Sequence, residues 1–142
     1  MDRRWWPVAG LVVWTAYVWC TRIANAWGDA GLSTAGKVGS TLLSLSLLVP
    51  AAAAAVVVVR RRHDQPTGPE IVLLRAFSAW TIVVWAVRVP MILAADHEVG
   101  FKAVHAVLGV ISVVLALLVL RVAGRAAADR DDVPAPALGG TC

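Results

Sequence analysis

Arg22, Arg88 and His105 are ionisable side chains set inside long apolar stretches, and they carry the clearest chemical potential in this chain. A guanidinium at the centre of a membrane span costs roughly 2.5–3.5 kcal/mol on insertion scales, so such residues usually face a bundle interior or a wet cavity. Paired arginines suit a phosphate or a carboxylate, which their fork of N–H donors grips in two places. A nearby histidine adds a ring with one nitrogen to donate and one to accept. No carboxylate lies within the apolar part of any stretch, so the ionic partner is expected to be an outer-loop acid (Asp29, Asp96 or Glu98) or an external anion.

Around these residues, small polar positions recur at helical spacing. Ser78, Thr81, Trp85 and Arg88 follow one another at steps of three and four, as do Lys102, His105, Gly109, Ser112 and Ala116. Lys37, Ser40 and Ser44 form a third stripe, and Thr15 and Arg22 stand seven apart on a fourth helix. The expected polar pocket comprises Arg22, Ser40, Ser44, Thr81, Trp85, Arg88, Lys102, His105 and Ser112. The competing reading is ordinary helix packing, because small residues at four-residue spacing let helices approach and arginines near helix ends snorkel to lipid phosphates.

The elements that must hold these residues are four apolar stretches, about 5–25, 37–59, 71–95 and 100–122. Each has the roughly 20 residues that a hydrocarbon core of about 30 Å requires. A chain of 142 residues that is 59% hydrophobic and only 15% charged cannot cover a water-facing surface. The sequence therefore predicts an all-α, four-helix transmembrane bundle at 1–125 with antiparallel neighbours. Residues 126–142, rich in Ala, Asp, Pro and Gly, are expected to form a disordered tail. Ala24, Asn25 and Ala26 fit a small-x-small cleavage site, but Arg22 just before it and the tryptophans of the first stretch argue that this span is retained. Pro50 is expected to kink the second span.

Arginines gather at one end of these stretches. Arg3, Arg4, Arg60, Arg61, Arg62, Arg75, Arg121 and Arg125 fall on one side if the spans alternate, and basic residues stay cytoplasmic. Both termini are expected in the cytoplasm, with these arginines anchoring to anionic lipid headgroups. Membrane lipids are thus the expected partner, with a membrane protein or a second copy of the chain as further partners; nucleic acid is not expected. Trp5, Trp6 and Trp27 suit the two interfaces, whereas Trp85 could shield Arg88 through a cation–π contact.

Catalytic, metal and cofactor patterns are lacking. There is no glycine-rich phosphate loop and no pair of intramembrane carboxylates. Ser112 is seven residues from His105, about 10 Å along a helix and too far for activation. Haem between helices needs two axial ligands, and a cytochrome would have to recruit Met91 or a second chain to complement His105. Cys20 and Cys142 have neither disulfide nor zinc spacing. The expectation is a non-enzyme without metal or cofactor.

Residues 84–90 (VWAVRVP) and 100–105 (GFKAVH), with the Ala- and Val-rich composition, resemble the uncharacterised four-span integral membrane proteins of actinobacteria. The resemblance implies a plasma-membrane location and brings no activity. The expected function is that of a small accessory or lipid-interacting membrane component. The alternative is an oligomeric transporter of an anion or small solute through the Arg88 and His105 region. Reporter fusions at Gly68 and at Glu98 should report opposite sides of the membrane, and the same side for both would overturn the topology.

Overall fold

The computed structural model describes residues 2–61, 63–96 and 98–131, with the backbone alone for Asp131. A short 3-10 turn, Arg3–Trp5, leads into α1 (Trp6–Gly28), followed by α2 (Thr34–Arg61), α3 (Gly68–Ala94) and α4 (Val99–Asp131). All four are long and apolar enough to cross a membrane. The connections are short, so sequential helices run antiparallel and pack as two hairpins, α1 with α2 and α3 with α4. Between the hairpins, α1 meets α4 and α2 meets α3 more lightly.

The distribution of residue types is inverted relative to a water-soluble bundle. Val13, Val49, Val59, Val72, Val83, Val110 and Met91 are exposed, whereas Thr15, Ser40, Ser44, Ser78, Thr81 and Ser112 are buried. Such an apolar exterior would be a large patch in water and is the expected face toward lipid. The interior is filled by Trp5, Trp19, Phe77, Leu11, Leu47 and Leu74, all essentially inaccessible.

Tryptophan N–H groups stitch three of the four seams. Trp27 donates to Thr41 Oγ1 at 3.0 Å between α1 and α2, Trp80 to Ser46 Oγ at 3.1 Å between α3 and α2, and Trp14 to Ser112 Oγ at 2.9 Å between α1 and α4. Each accepting hydroxyl donates in turn to a carbonyl of its own helix: Thr41 to Lys37, Ser46 to Leu43 and Ser112 to Leu108. The hydroxyl thus satisfies a tryptophan donor that finds no water in hydrocarbon. The fourth seam, α3 with α4, is closed by contact instead. A Cβ at Gly109 would lie 2.6 Å from Val89 Cγ2 and 3.0 Å from Trp85 Cε3, so only glycine permits this approach.

Charge closes the α2–α3 connection. The Glu70 carboxylate accepts the Thr67 backbone N–H at 2.6 Å and Arg61 Nε at 3.1 Å, tying the first turn of α3 to the last turn of α2. Arg61 is thus paired with Glu70 while its side chain stays partly exposed. Arg62 lies outside the described residues.

The helices overrun the predicted spans, most of all at the end of α4. The segment from Ala126 was expected to be disordered, but α4 continues through Asp131; residues 132–142 lie outside the described residues. Thirty-three residues extend about 50 Å, well beyond the hydrocarbon thickness. The overrun is helical because tertiary contacts support it. Ala123 and Ala126 are buried, and Arg130 Nη1 donates to the Pro66 carbonyl at 3.4 Å. Pro50 and Pro90 both lie within continuous helices.

Gly109→Ala should destabilise the bundle by about 1–3 kcal/mol, the usual cost of overpacking. Gly39→Ala, where an added methyl meets nothing within 4 Å, should cost nothing; thermal unfolding in detergent compares the two.

Candidate functional site

An open cleft of about 500 Å³ occupies the end of the bundle that carries Asp29. Trp14 and Ser112 join α1 to α4 near mid-bundle, and beyond that bond the facing residues of the two helices form opposite walls. Tyr17, Thr21, Arg22 and Asn25 come from α1, Phe101, Val104, His105 and Leu108 from α4, and Trp85 and Arg88 from α3. Ser40 of α2 and Asp29 of the α1–α2 connection complete the lining. The inner wall includes Trp19 and Trp85, both almost fully buried, with ring centroids 6.2 Å apart.

Five of the nine expected pocket residues meet here: Arg22, Ser40, Trp85, Arg88 and His105. The other four do not line the cleft. Ser44 and Thr81 are buried with their hydroxyls bonded to the Ser40 and Phe77 carbonyls, and Ser112 receives Trp14. Lys102 lies outside the lining although it shares the His105 stripe. Helical spacing placed these residues on the right faces but could not tell a hydroxyl bonded to its own helix from one left facing a cavity.

The two guanidiniums stand on the same side of a charge imbalance. Arg88 experiences the positive charge of Arg22. Among the described residues the ion pairs are Arg4–Asp2 and Arg61–Glu70, so neither cleft arginine has an acidic partner. Asp29, the candidate acid on the rim, instead accepts the Gly31 N–H through Oδ1 at 2.8 Å. The expectation that an outer-loop acid folds back onto the arginines is not met by Asp29.

Backbone direction sharpens the contrast with Arg75. Cα–Cβ bonds tilt toward a helix N-terminus, so Arg75, exposed near the start of α3, leans toward the nearby basic end of the bundle. Arg22 and Arg88 lie near the C-terminal ends of α1 and α3, and the same tilt leans them away from their nearer surface. Simple snorkelling suits Arg75 and opposes the cleft pair.

Hydrogen bonding in the cleft is also incomplete. Arg22 Nε, Ser40 Oγ and Trp85 Nε1 are buried without a partner. Unmade bonds of this kind cost about 1–3 kcal/mol each, more for a charged group. His105 is held differently: Nδ1 lies 2.8 Å from the Phe101 carbonyl, which can only accept, so Nδ1 carries the hydrogen and Nε2 is the ring nitrogen left for other partners. Its ring also stacks obliquely on Phe101 at 4.0 Å. The cleft therefore offers donors to a polar anion against aromatic walls. Among the described residues no cluster of three metal-ligating side chains forms.

Tyr17, Thr21, Asn25 and Phe101 were not anticipated. Tyr17 and Asn25 each stand four residues from Thr21, so the α1 stripe was legible from its spacing, but a tyrosine in an apolar stretch reads equally as an interfacial anchor. Comparisons with protein-family models, with curated proteins and with solved structures give no match.

Ser40→Ala should leave stability unchanged or raise it, since it removes a hydroxyl without a partner. Ser112→Ala, which strands the Trp14 donor, should cost about 1 kcal/mol in detergent unfolding.

Proposed function

We propose that this protein is a non-enzymatic component of the plasma membrane, with both termini in the cytoplasm, that binds an anionic lipid headgroup in the Arg22/Arg88 cleft. The observation that carries the reading is the coincidence of two arginines without acidic partners and three buried polar atoms without hydrogen bonds around one open cavity. A phosphate diester supplies what is missing: a negative charge that offsets half that of the pair and can lie between the two, and acceptor oxygens for the guanidinium N–H groups. Aromatic residues along the walls suit the glycerol and upper acyl chain that accompany a headgroup.

Depth supports a lipid over a deeply buried solute. Arg22 and Arg88 each stand six residues before the end of their helix, about 9 Å along the axis. At that depth a headgroup entering the open cleft from the interface can meet the guanidiniums without their having to reach outward. The transport alternative is less well supported, because Trp19 and Trp85 wall off the cleft and Leu11, Leu47 and Phe77 are fully buried in the core.

Arg88→Leu separates the effects of charge burial and ligand binding. Without lipid, the variant should be at least as stable as the parent, because leucine replaces a half-buried charge that has no acidic partner among the described residues. With phosphatidylglycerol, the stabilisation seen in the parent should be lost, with affinity falling at least tenfold, about 1.4 kcal/mol. Equal lipid-dependent shifts in melting temperature for parent and variant would remove the cleft from consideration as the binding site.

A further inference from the structure

The α1–α4 seam opens a second time, at the opposite end of the bundle. There a cleft of about 540 Å³ is bordered by Arg3, Arg4 and Trp5 at the start of the chain, by Gln65 of the α2–α3 connection, and by Arg121 and Arg125 of α4. Trp5 is completely buried, yet its indole Nε1 has no hydrogen-bond partner. Five buried polar side-chain atoms lack a partner among the described residues, and four of them belong to residues of the two clefts. Trp14, Trp27 and Trp80 each donate to a hydroxyl, whereas Trp5, like Trp85 in the opposite cleft, does not.

Charge on this cleft is only partly compensated. Arg4 is paired with Asp2, whose carboxyl is held below the usual range by its hydrogen bond to that arginine. Asp129 also borders the cleft, but Arg3, Arg121 and Arg125 form no ion pair among the described residues. The site is assembled from three separate chain segments, and Arg130 pins the end of α4 to Pro66 beside it. A solvated patch of arginines would need neither this pinning nor a buried donor behind it.

We infer that this second cleft is a binding site for a phosphate group, gripped by Arg121 and Arg125 with Arg3 and backed by Trp5. The same chemistry serves an anionic lipid headgroup at the basic face and free phosphate, and the two sources are separable.

Native mass spectrometry of the full chain in uncharged detergent, titrated with phosphatidylglycerol, phosphatidylcholine or sodium phosphate, tests the inference. Phosphatidylglycerol should bind the parent in preference to phosphatidylcholine. The double variant R121Q/R125Q should weaken one bound phosphatidylglycerol at least tenfold, and Trp5→Phe should weaken the same one several-fold, while a lipid lost in Arg88→Leu is retained in both. If sodium phosphate displaces that lipid from the parent, free phosphate is the second source of the same ligand group; if it does not, the lipid is the ligand. Unchanged phosphatidylglycerol binding in R121Q/R125Q and in Trp5→Phe, or equal binding of phosphatidylcholine, would overturn the inference. Failure of Arg88→Leu to lose a lipid would bear on the opposite cleft alone.

Discussion

Hydrocarbon offers no hydrogen bonds, and the bundle is organised around that fact. Trp14, Trp27 and Trp80 each carry an N–H that must be satisfied by another helix, and each finds a serine or threonine already bonded to its own backbone. The hydroxyl serves as both donor and acceptor, so neither helix exposes a free polar group to lipid. Where no tryptophan bond joins α3 to α4, Gly109 brings the backbones close enough for Trp85 and Val89 to pack directly. Both solutions fix helix register, one through a directional bond and the other through a steric fit.

The α1–α4 seam is where this organisation is least complete. One bond near mid-bundle, Trp14 to Ser112, holds it, and a cleft opens at each end. The buried polar atoms without partners concentrate around those clefts, together with arginines that no carboxylate neutralises. Among the described residues, four of the five buried polar atoms without a partner belong to residues of these clefts, and that concentration locates the chemistry. Phosphate is the simplest group that answers the charge and the missing acceptors together.

Much of this was legible from residue order. Four stretches of about 20 mostly apolar residues predicted four helices long enough to cross a membrane, and the short connections between them favoured antiparallel neighbours. Helical spacing placed Arg22, Ser40, Arg88 and His105 on the polar faces of their helices, and they line one cleft. Ser44, Thr81 and Ser112 share those faces yet turn their hydroxyls to their own helices, a choice made by local rotamers that spacing does not encode. The end of α4 was read as disordered because Ala126–Ala128 and the acids after them have no apolar period. Burial of Ala123 and Ala126 and the bond from Arg130 to Pro66 supply the support that local sequence lacked. The basic-end cleft was visible only as its separate arginines, since Trp5 and Gln65 lie 60 residues apart and meet it through the fold.

A lipid phosphate held between the unpaired guanidiniums of Arg22 and Arg88 would be in direct contact with both. Nitrogen-to-phosphorus distance measurement by solid-state NMR, on arginine-labelled protein in bilayers containing phosphatidylglycerol, reads that contact directly. Close approach of lipid phosphorus to both guanidinium groups, abolished at each position by its own substitution, is the predicted result. Guanidiniums remote from phosphorus and hydrogen-bonded only to water or to Asp29 would contradict the account.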